Sequence, residues 1–212
     1  CERNNISYNP SLKLDFSSDT VVFDTVFSTI GSATRRFKVY NNSSSDLMIS
    51  SIRLAGGSSS PYRINIDGLP TTNTKDVYLR SNDSLFVFVE VTIDPTNQNN
   101  PLLVPDSVIF VTNENIQDVK LMAWGQDVVL YNAQTLSGHN TFTSGKPYLI
   151  YDYLYIDQDG ELSIEAGAKL HFHNFAQLVV SGSLKVNGEK ENHRVFWLSI
   201  YLKASAYNKL SK

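Results

Sequence analysis

The stretch "SLFVFVEVTID" constrains the fold more than any other part of the chain. Leu85, Val87, Val89, Val91 and Ile93 are apolar at every second position. Side chains alternate across an extended strand, so this spacing lines one face with apolar groups and calls for a buried sheet. The opposite face carries Phe86 and Phe88 before it turns polar at Glu90 and Thr92. Shorter alternations recur at Val22 to Phe27, Phe37 to Val39, Leu47 to Leu54, Tyr62 to Ile66, Val77 to Leu79, Val108 to Val111 and Val119 to Trp124. In Leu47 to Leu54 the phase slips, with Leu47 and Ile49 followed by Ile52 and Leu54, as a bulge or a short bend would make it. The runs are separated by "NNSSSD", "AGGSSSP", "DGLPTTN", "DPTNQNNP" and "TNEN", all turn chemistry. Seven to nine short strands with almost no helical pattern predict a β-sandwich over residues 12–127. The single cysteine removes the Cys–Trp–Cys pattern of an antibody-type domain.

After "WGQD" the texture changes. From Gly160 the chain reads "GELSIEAGAKLHFHNFAQLVVSGSLKVNG". Apolar pairs two residues apart recur at Leu162/Ile164, Leu170/Phe172, Leu178/Val180 and Leu184/Val186, with Gly or small turn residues between them. Their starts are spaced by eight, eight and six residues, a short period that suits a β-solenoid or tightly wound meander hairpins. This predicts a short β-helix-like repeat domain over 128–192. About three turns of solenoid would leave an open end with unpaired backbone. Residues 193–212, "HRVFWLSIYLKASAYNKLSK", are therefore expected to be a cap or a truncated tail. The cap would be either a helix, with Val195, Leu198 and Leu202 on one face, or an edge strand.

Composition limits the function classes. Hydrophobic residues are 42% and charged residues 18%, enough for a real core. The net charge of −3, with no basic stripe, gives nucleic acid nothing to bind. The longest dense apolar run, Val195 to Leu202, is far short of the roughly 20 residues that span a bilayer. The lone Cys stands at position one with no Met before it, and polar, unpatterned residues follow. A mature bacterial lipoprotein needs a thiol there to carry a diacylglycerol. Cys1 is thus the expected lipidation site, residues 1–11 the flexible tether, and the membrane a partner through the anchor.

Several stretches carry a family likeness: "DTVVFDTVFSTIGSATRRFKVYN", "LMISSIRLAGG", "YRINIDG", "FVFVEVTIDP", "DSVIFVTN", "LMAWGQD" and "KPYLIYDYLYID". In these the chain resembles a group of Bacteroidetes outer-envelope lipoproteins that carry an immunoglobulin-like domain followed by a right-handed parallel β-helix. The first domain also resembles the major-sperm-protein/hydin class of such modules. The likeness covers residues 12–188 and implies an all-β architecture at the outer membrane, on its periplasmic or its surface face. It transfers no catalytic residues and implies no cofactor.

Candidate chemistry is thin. "HFH" puts His171 and His173 on one face of a strand, a spacing that can hold a metal, but Leu170 and Phe172 claim the inward face. A further ligand would have to come from His139, His193 or a carboxylate. Asp157 and Asp159, with Glu161 and Glu165 beyond, offer oxygen ligands around Gly160, though the Gly is misplaced for a helix–loop–helix calcium site. Both read more simply as exposed histidines and a polar turn. The sequence has no G-x-S-x-G elbow, phosphate-binding loop, G-x-G-x-x-G or H-E-x-x-H. "YLIYDYLYID" is more distinctive. Ile150, Leu154 and Ile156 take one face; Tyr151, Tyr153 and Tyr155 take the other as a ladder that could stack on sugar rings. Such a ladder serves equally to pack against the immunoglobulin-like domain or to sit at the junction between the two domains. The expectation is a non-catalytic envelope protein that acts as an adhesin-like binding module for glycan or protein. The alternatives are a structural component of an envelope complex, or the remnant of a β-helix polysaccharide-degrading enzyme.

Overall fold

The computed structural model of the chain describes residues 6–95 and 101–188. Cys1 and the stretch expected to form a cap lie outside the described residues. The chain is all-β and divides into two compact units, Cys1–Gln126 and Asp127–Lys212.

The first unit holds ten strands: β1 (Asp15–Phe16), β2 (Thr20–Phe27), β3 (Arg35–Asn41), β4 (Leu47–Leu54), β5 (Tyr62–Ile66), β6 (Leu69–Thr71), β7 (Asn73–Leu79), β8 (Asp83–Val91), β9 (Leu102–Thr112) and β10 (Asn115–Gln126). They form two sheets of an immunoglobulin-like sandwich, in the orders β1-β3-β8-β5-β6 and β2-β10-β9-β4-β7. All neighbours are antiparallel except β2 and β10. The alternating run occupies the centre of its sheet: β8 lies between β3 and β5, and Leu85, Val87, Val89 and Val91 are buried. They meet Phe37, Val39, Ile52, Leu54, Phe110 and Leu121 in one core. The phase slip in β4 is a register shift between Ile49 and Ser51 against β9. Turn chemistry sets two hairpins. Asp67 and Gly68 (φ 45° and 94°) join β5 to β6, and Asn113 and Glu114 (φ 49° and 64°) join β9 to β10. Two-residue hairpin loops with both φ positive match the twist of the strands they connect. Part of the stretch expected to be a flexible tether is attached to the sandwich. Ile6 bridges Asp46, Ser7 N–H donates to the Asp46 carbonyl at 2.9 Å, and Asn113 and Asn115 donate to the carbonyls of Asn9 and Pro10. Backbone pairing holds Ile6 and Ser7, and side-chain amides hold Asn9 and Pro10, onto the sandwich.

The second unit is built of parallel pairs. Its strands are β11 (Val129–Leu136), β12 (His139–Phe142), β13 (Tyr148–Ile156), β14 (Glu161–Ile164), β15 (Leu170–Phe172), β16 (Gln177–Val180) and β17 (Ser183–Val186). One sheet pairs β11 with β13, and β13 with both β15 and β16; the other runs β12-β14-β17. Among the described residues every pair is parallel, so no hairpin joins these strands and the meander alternative is corrected. The short spacing is corrected as well. Leu162/Ile164, Leu170/Phe172 and Leu178/Val180 do not stack on one another. The pairs at Leu170 and Leu178 both lie beside β13, while the partner of Leu162 is Leu184, 22 residues on, as Glu161 is 22 residues from His139. Phe142, Ile164 and Val186 form one such inward column, Ile150 and Phe172 another. Aromatic rings fill the interior: Phe142 lies 3.9 Å from Tyr148 at 7°, and Tyr131 stacks on Phe142 at 5.4 Å. Glycines mark the corner between the two sheets. Gly138, Gly160 and Gly182 recur at the 22-residue period. A Cβ on Gly160 would lie 2.7 Å from the Leu136 carbonyl, and one on Gly182 would collide with the carbonyls of Gly160 and Asp157.

Candidate functional site: a recess on the sandwich

The residues singled out in the sequence are dispersed in the second unit. Leu170 and Phe172 are half-buried and pack against its core, and His171 and His173 are exposed. Partial burial and then the Lys169 ammonium hold the His171 imidazole below its ordinary pKa. His173 stacks on Tyr151 at 4.0 Å. Asp157 and Asp159 make a turn in which Asp157 Oδ1 accepts the Asp159 N–H and its carbonyl accepts the Gly160 N–H, both at 3.1 Å. Glu161 is bound by Lys185 (2.7 Å) and His139 (3.3 Å), and the Lys185 ammonium is the main cause of its carboxyl lying below the usual range. Among the described residues, no group of three or more His, Cys, Asp or Glu could hold a metal ion.

The tyrosines do not form one flat row. Asp152 takes a left-handed conformation (φ 60°), tolerable for Asp, and β13 changes partner there. Tyr148 to Ile150 pair with β15, whereas Tyr153 to Ile156 pair with β16. Beneath, β11 shifts register between Asn132 and Gln134, around Ala133 at φ 48°. Tyr151 therefore precedes the corner, and Tyr153 and Tyr155 follow it. Tyr151 packs on His173 of the next layer, and Tyr155 donates its hydroxyl to Ser181 Oγ at 2.9 Å. Tyr153 is the most open of the three, at 40% exposure.

A different surface gathers charge, aromatic rings and a recess. On β8 and β5, Phe88 and Glu90 point away from the core and stand directly opposite Asn65 and Arg63. Two adjoining hollows share Arg63. The larger, about 410 Å³, is lined by Ser58, Ser59, Ser60, Pro61, Arg63, Thr92 and Asp94. The smaller, about 140 Å³, is floored by Phe88 and walled by Arg63, Asn65, Pro70 and Glu90. Their walls are fixed from behind. Asp106 accepts the Gly56 N–H (3.1 Å) and the Ser60 hydroxyl (2.5 Å), holding the short 3-10 turn Gly57–Ser59. Arg63 Nη1 donates to the carbonyls of Ser60 (2.6 Å) and Tyr62 (2.7 Å), and Glu90 accepts from Thr34 Oγ1 at 2.5 Å. Tyr62 is anchored beneath by its hydroxyl on the Val104 carbonyl (2.6 Å), and burial, then Asp106, push its phenol up. Arg63 and Glu90 face each other across the strands yet form no ion pair. Beside them, Phe86 and Phe88 stack at 6.0 Å, with Lys38 and Arg36 over the Phe86 ring at 4.6 and 5.6 Å. Sequence reasoning passed over this surface. Its signal was Phe86 and Phe88 on the face of β8 that should have been polar.

No family model matches the chain, and no curated protein matches it. Solved structures do. They include the E. coli chaperone DraB (TM-score 0.36, 12% identity, 54% of this chain and 56% of that one). A PapD-like domain of human CEP192 matches at TM-score 0.35 and 14% identity, over 56% of this chain and 87% of that one. A Porphyromonas gingivalis W83 protein of unknown function matches at TM-score 0.37 and 13% identity, over 59% and 60%. The chain spans 30% of a glycoside hydrolase from Clostridium perfringens, at 10% identity and TM-score 0.39. Scores at this level carry no argument about what the chain does.

Proposed function

We propose that the chain is a non-catalytic binding protein of the bacterial cell envelope. In this reading it is an adhesin-like lipoprotein of the outer membrane, anchored by lipid on Cys1. The sandwich recess is its recognition surface, and the parallel layers are coils of a β-helix that serves as scaffold. The observation that supports recognition is the unmade Arg63–Glu90 pair. Opposite charges directly across two strands attract and ordinarily pair. Here each is held by a neighbouring group and keeps hydrogen-bonding capacity toward the recess. The test is co-sedimentation of the Cys1→Ser chain with isolated envelope fragments. Phe88→Ala and Glu90→Gln are expected to weaken binding, and Tyr153→Ala to leave it unchanged; binding indifferent to both recess variants contradicts the reading. Anchoring is read separately, because Cys1→Ser should move the protein from the membrane to the soluble fraction in cells.

A second reading is a structural component of an envelope complex. It is favoured by the fading burial along one inward column, from Phe142 (1% exposed) through Ile164 (7%) to Val186 (49%). Sheet edges of this kind can take a strand from a partner. A stable partner that co-purifies with the chain and is lost on Val186→Lys would support assembly over recognition.

A further inference from the structure

We propose that the sandwich recess takes an uncharged glycan, with one sugar ring on Phe88 and the next in the hollow beside Ser58 and Ser59. The inference rests on the binding reading above and names the ligand class for that site. Three features point to it. The first is the mixture of groups. Around Arg63 stand Asn65, Glu90, Asp94, Thr92 and the serine hydroxyls, so donors and acceptors alternate over a short distance. Sugar hydroxyls both donate and accept, and adjacent hydroxyls match planar carboxylate, amide and guanidinium groups. The second is the division of labour between the hollows. The smaller one offers the Phe88 ring and Pro70, an apolar patch for the C–H face of a pyranose. The larger is walled by polar groups, and its 410 Å³ falls in the usual range for small-ligand sites, roughly 300–1,000 Å³. The third is charge. Among the lining residues one guanidinium is set against two carboxylates, Glu90 and Asp94, so the hollows themselves offer an anionic sugar no excess of positive charge. Arg36 and Lys38 stand on β3 opposite Phe88 and Phe86 and keep their charge, but neither lines the two hollows. The polar lining of the larger hollow also disfavours a peptide, whose apolar anchors it would leave unpaired.

The walls are preorganised, so little ordering opposes binding. Asp106 fixes the turn, Arg63 is held by two carbonyls, and Glu90 by Thr34. The test is an amide chemical-shift titration of the isotope-labelled full chain. The probes are neutral oligosaccharides (gluco-, manno- and galacto-configured) alongside length-matched uronate oligosaccharides. Shifts in Arg63 to Asn65 and Phe88 to Asp94 with a neutral probe, weaker with uronates, are expected. Phe88→Ala should weaken that binding about two- to tenfold, the effect of losing one stacked ring. Glu90→Gln, nearly isosteric, should weaken it by about tenfold or more while unchanged amide shifts at Val87 and Val89 show that the sheet is intact. Stronger binding of the uronates overturns the charge argument and with it the inference. Shifts confined to Tyr151, Tyr153 and Tyr155 place the glycan elsewhere and overturn it too. Silence from every oligosaccharide, with recess-dependent binding to envelope fragments retained, overturns the glycan class and leaves the binding reading standing. Silence in both assays removes both.

Discussion

The sandwich and the parallel layers bury their apolar groups by different routes. In the sandwich, two sheets face each other and burial is uniform: Ile52, Leu54, Val87, Val89 and Phe110 are fully enclosed. Most of its neighbours are antiparallel, and tight two-residue turns set the register of two hairpins. In the second unit the described strands pair in parallel in two small sheets, and burial is lower at β17. Its register follows a 22-residue step, with a Cβ excluded at Gly160 and Gly182 and a left-handed backbone at Gly138. The lesson is that similar apolar pairs, two residues apart, can specify opposite kinds of sheet. What decides between them is whether turn residues reverse the chain or carry it onward.

The sharpest way to break this comparison is Gly182→Val. Its side chain would meet the backbone carbonyls of Gly160 and Asp157, which have no rotamer to yield. A loss of roughly 3 kcal/mol or more is expected for the second unit. Calorimetry should show its transition lowered or lost and that of the sandwich retained; one transition shifting as a whole would show that the two regions do not unfold separately. Next in size is Phe142→Ala. It removes a ring stacked on both Tyr148 and Tyr131 and should cost about 3–5 kcal/mol by denaturant titration. A third experiment reads the gradient within one column. Ile164→Ala should cost about 2–5 kcal/mol, and Val186→Ala less than about 1 kcal/mol, because nearly half of Val186 is already open to solvent. Equal losses would mean that the third layer is as well covered as the second.

Smaller effects sharpen the role of the tyrosines. Tyr151→Ala removes the stack on His173 and should lower stability by about 0.5–1.5 kcal/mol beyond lost area. The same variant should leave binding to envelope fragments unchanged. The smallest effect is on pH. The folded pKa of His171 lies below its unfolded value, so the unfolded chain binds its proton first. The stability of the second unit should begin to fall as pH drops through the ordinary histidine range. Glu161 acts in the same direction at lower pH: its carboxyl is held down chiefly by Lys185, and that contribution is lost as pH falls through its folded pKa. Lys185→Met should remove most of the second step and leave the first, as read by thermal melts across pH.

The sandwich was legible because period two needs only neighbouring residues. Leu85 to Ile93 fixed one buried face, the slip at Ile49 to Ser51 announced a register shift, and "DG" marked the β5–β6 turn. The layers were half legible. The pairs at Leu162, Leu170, Leu178 and Leu184 were seen as strands, but their short spacing masked the step that matters. That step stood in the sequence as Gly138, Gly160 and Gly182 and as Phe142, Ile164 and Val186. The bend in the tyrosine strand was hidden because its left-handed residue is Asp152, with no Gly or Pro to announce it. The recess was hidden for another reason. Arg63 and Asp94 come from separate segments, and only strand pairing brings Arg63 opposite Glu90. Outward Phe86 and Phe88 were the available clue.

Hydrogen exchange on the full chain, with and without isolated envelope fragments, decides which of the two regions recognises the ligand. The expected result is new protection over 58–65 and 84–94, at the recess, with exchange over 129–188 unchanged. Protection confined to 129–188, whether at the tyrosines or at the open third layer, would contradict recognition by the sandwich.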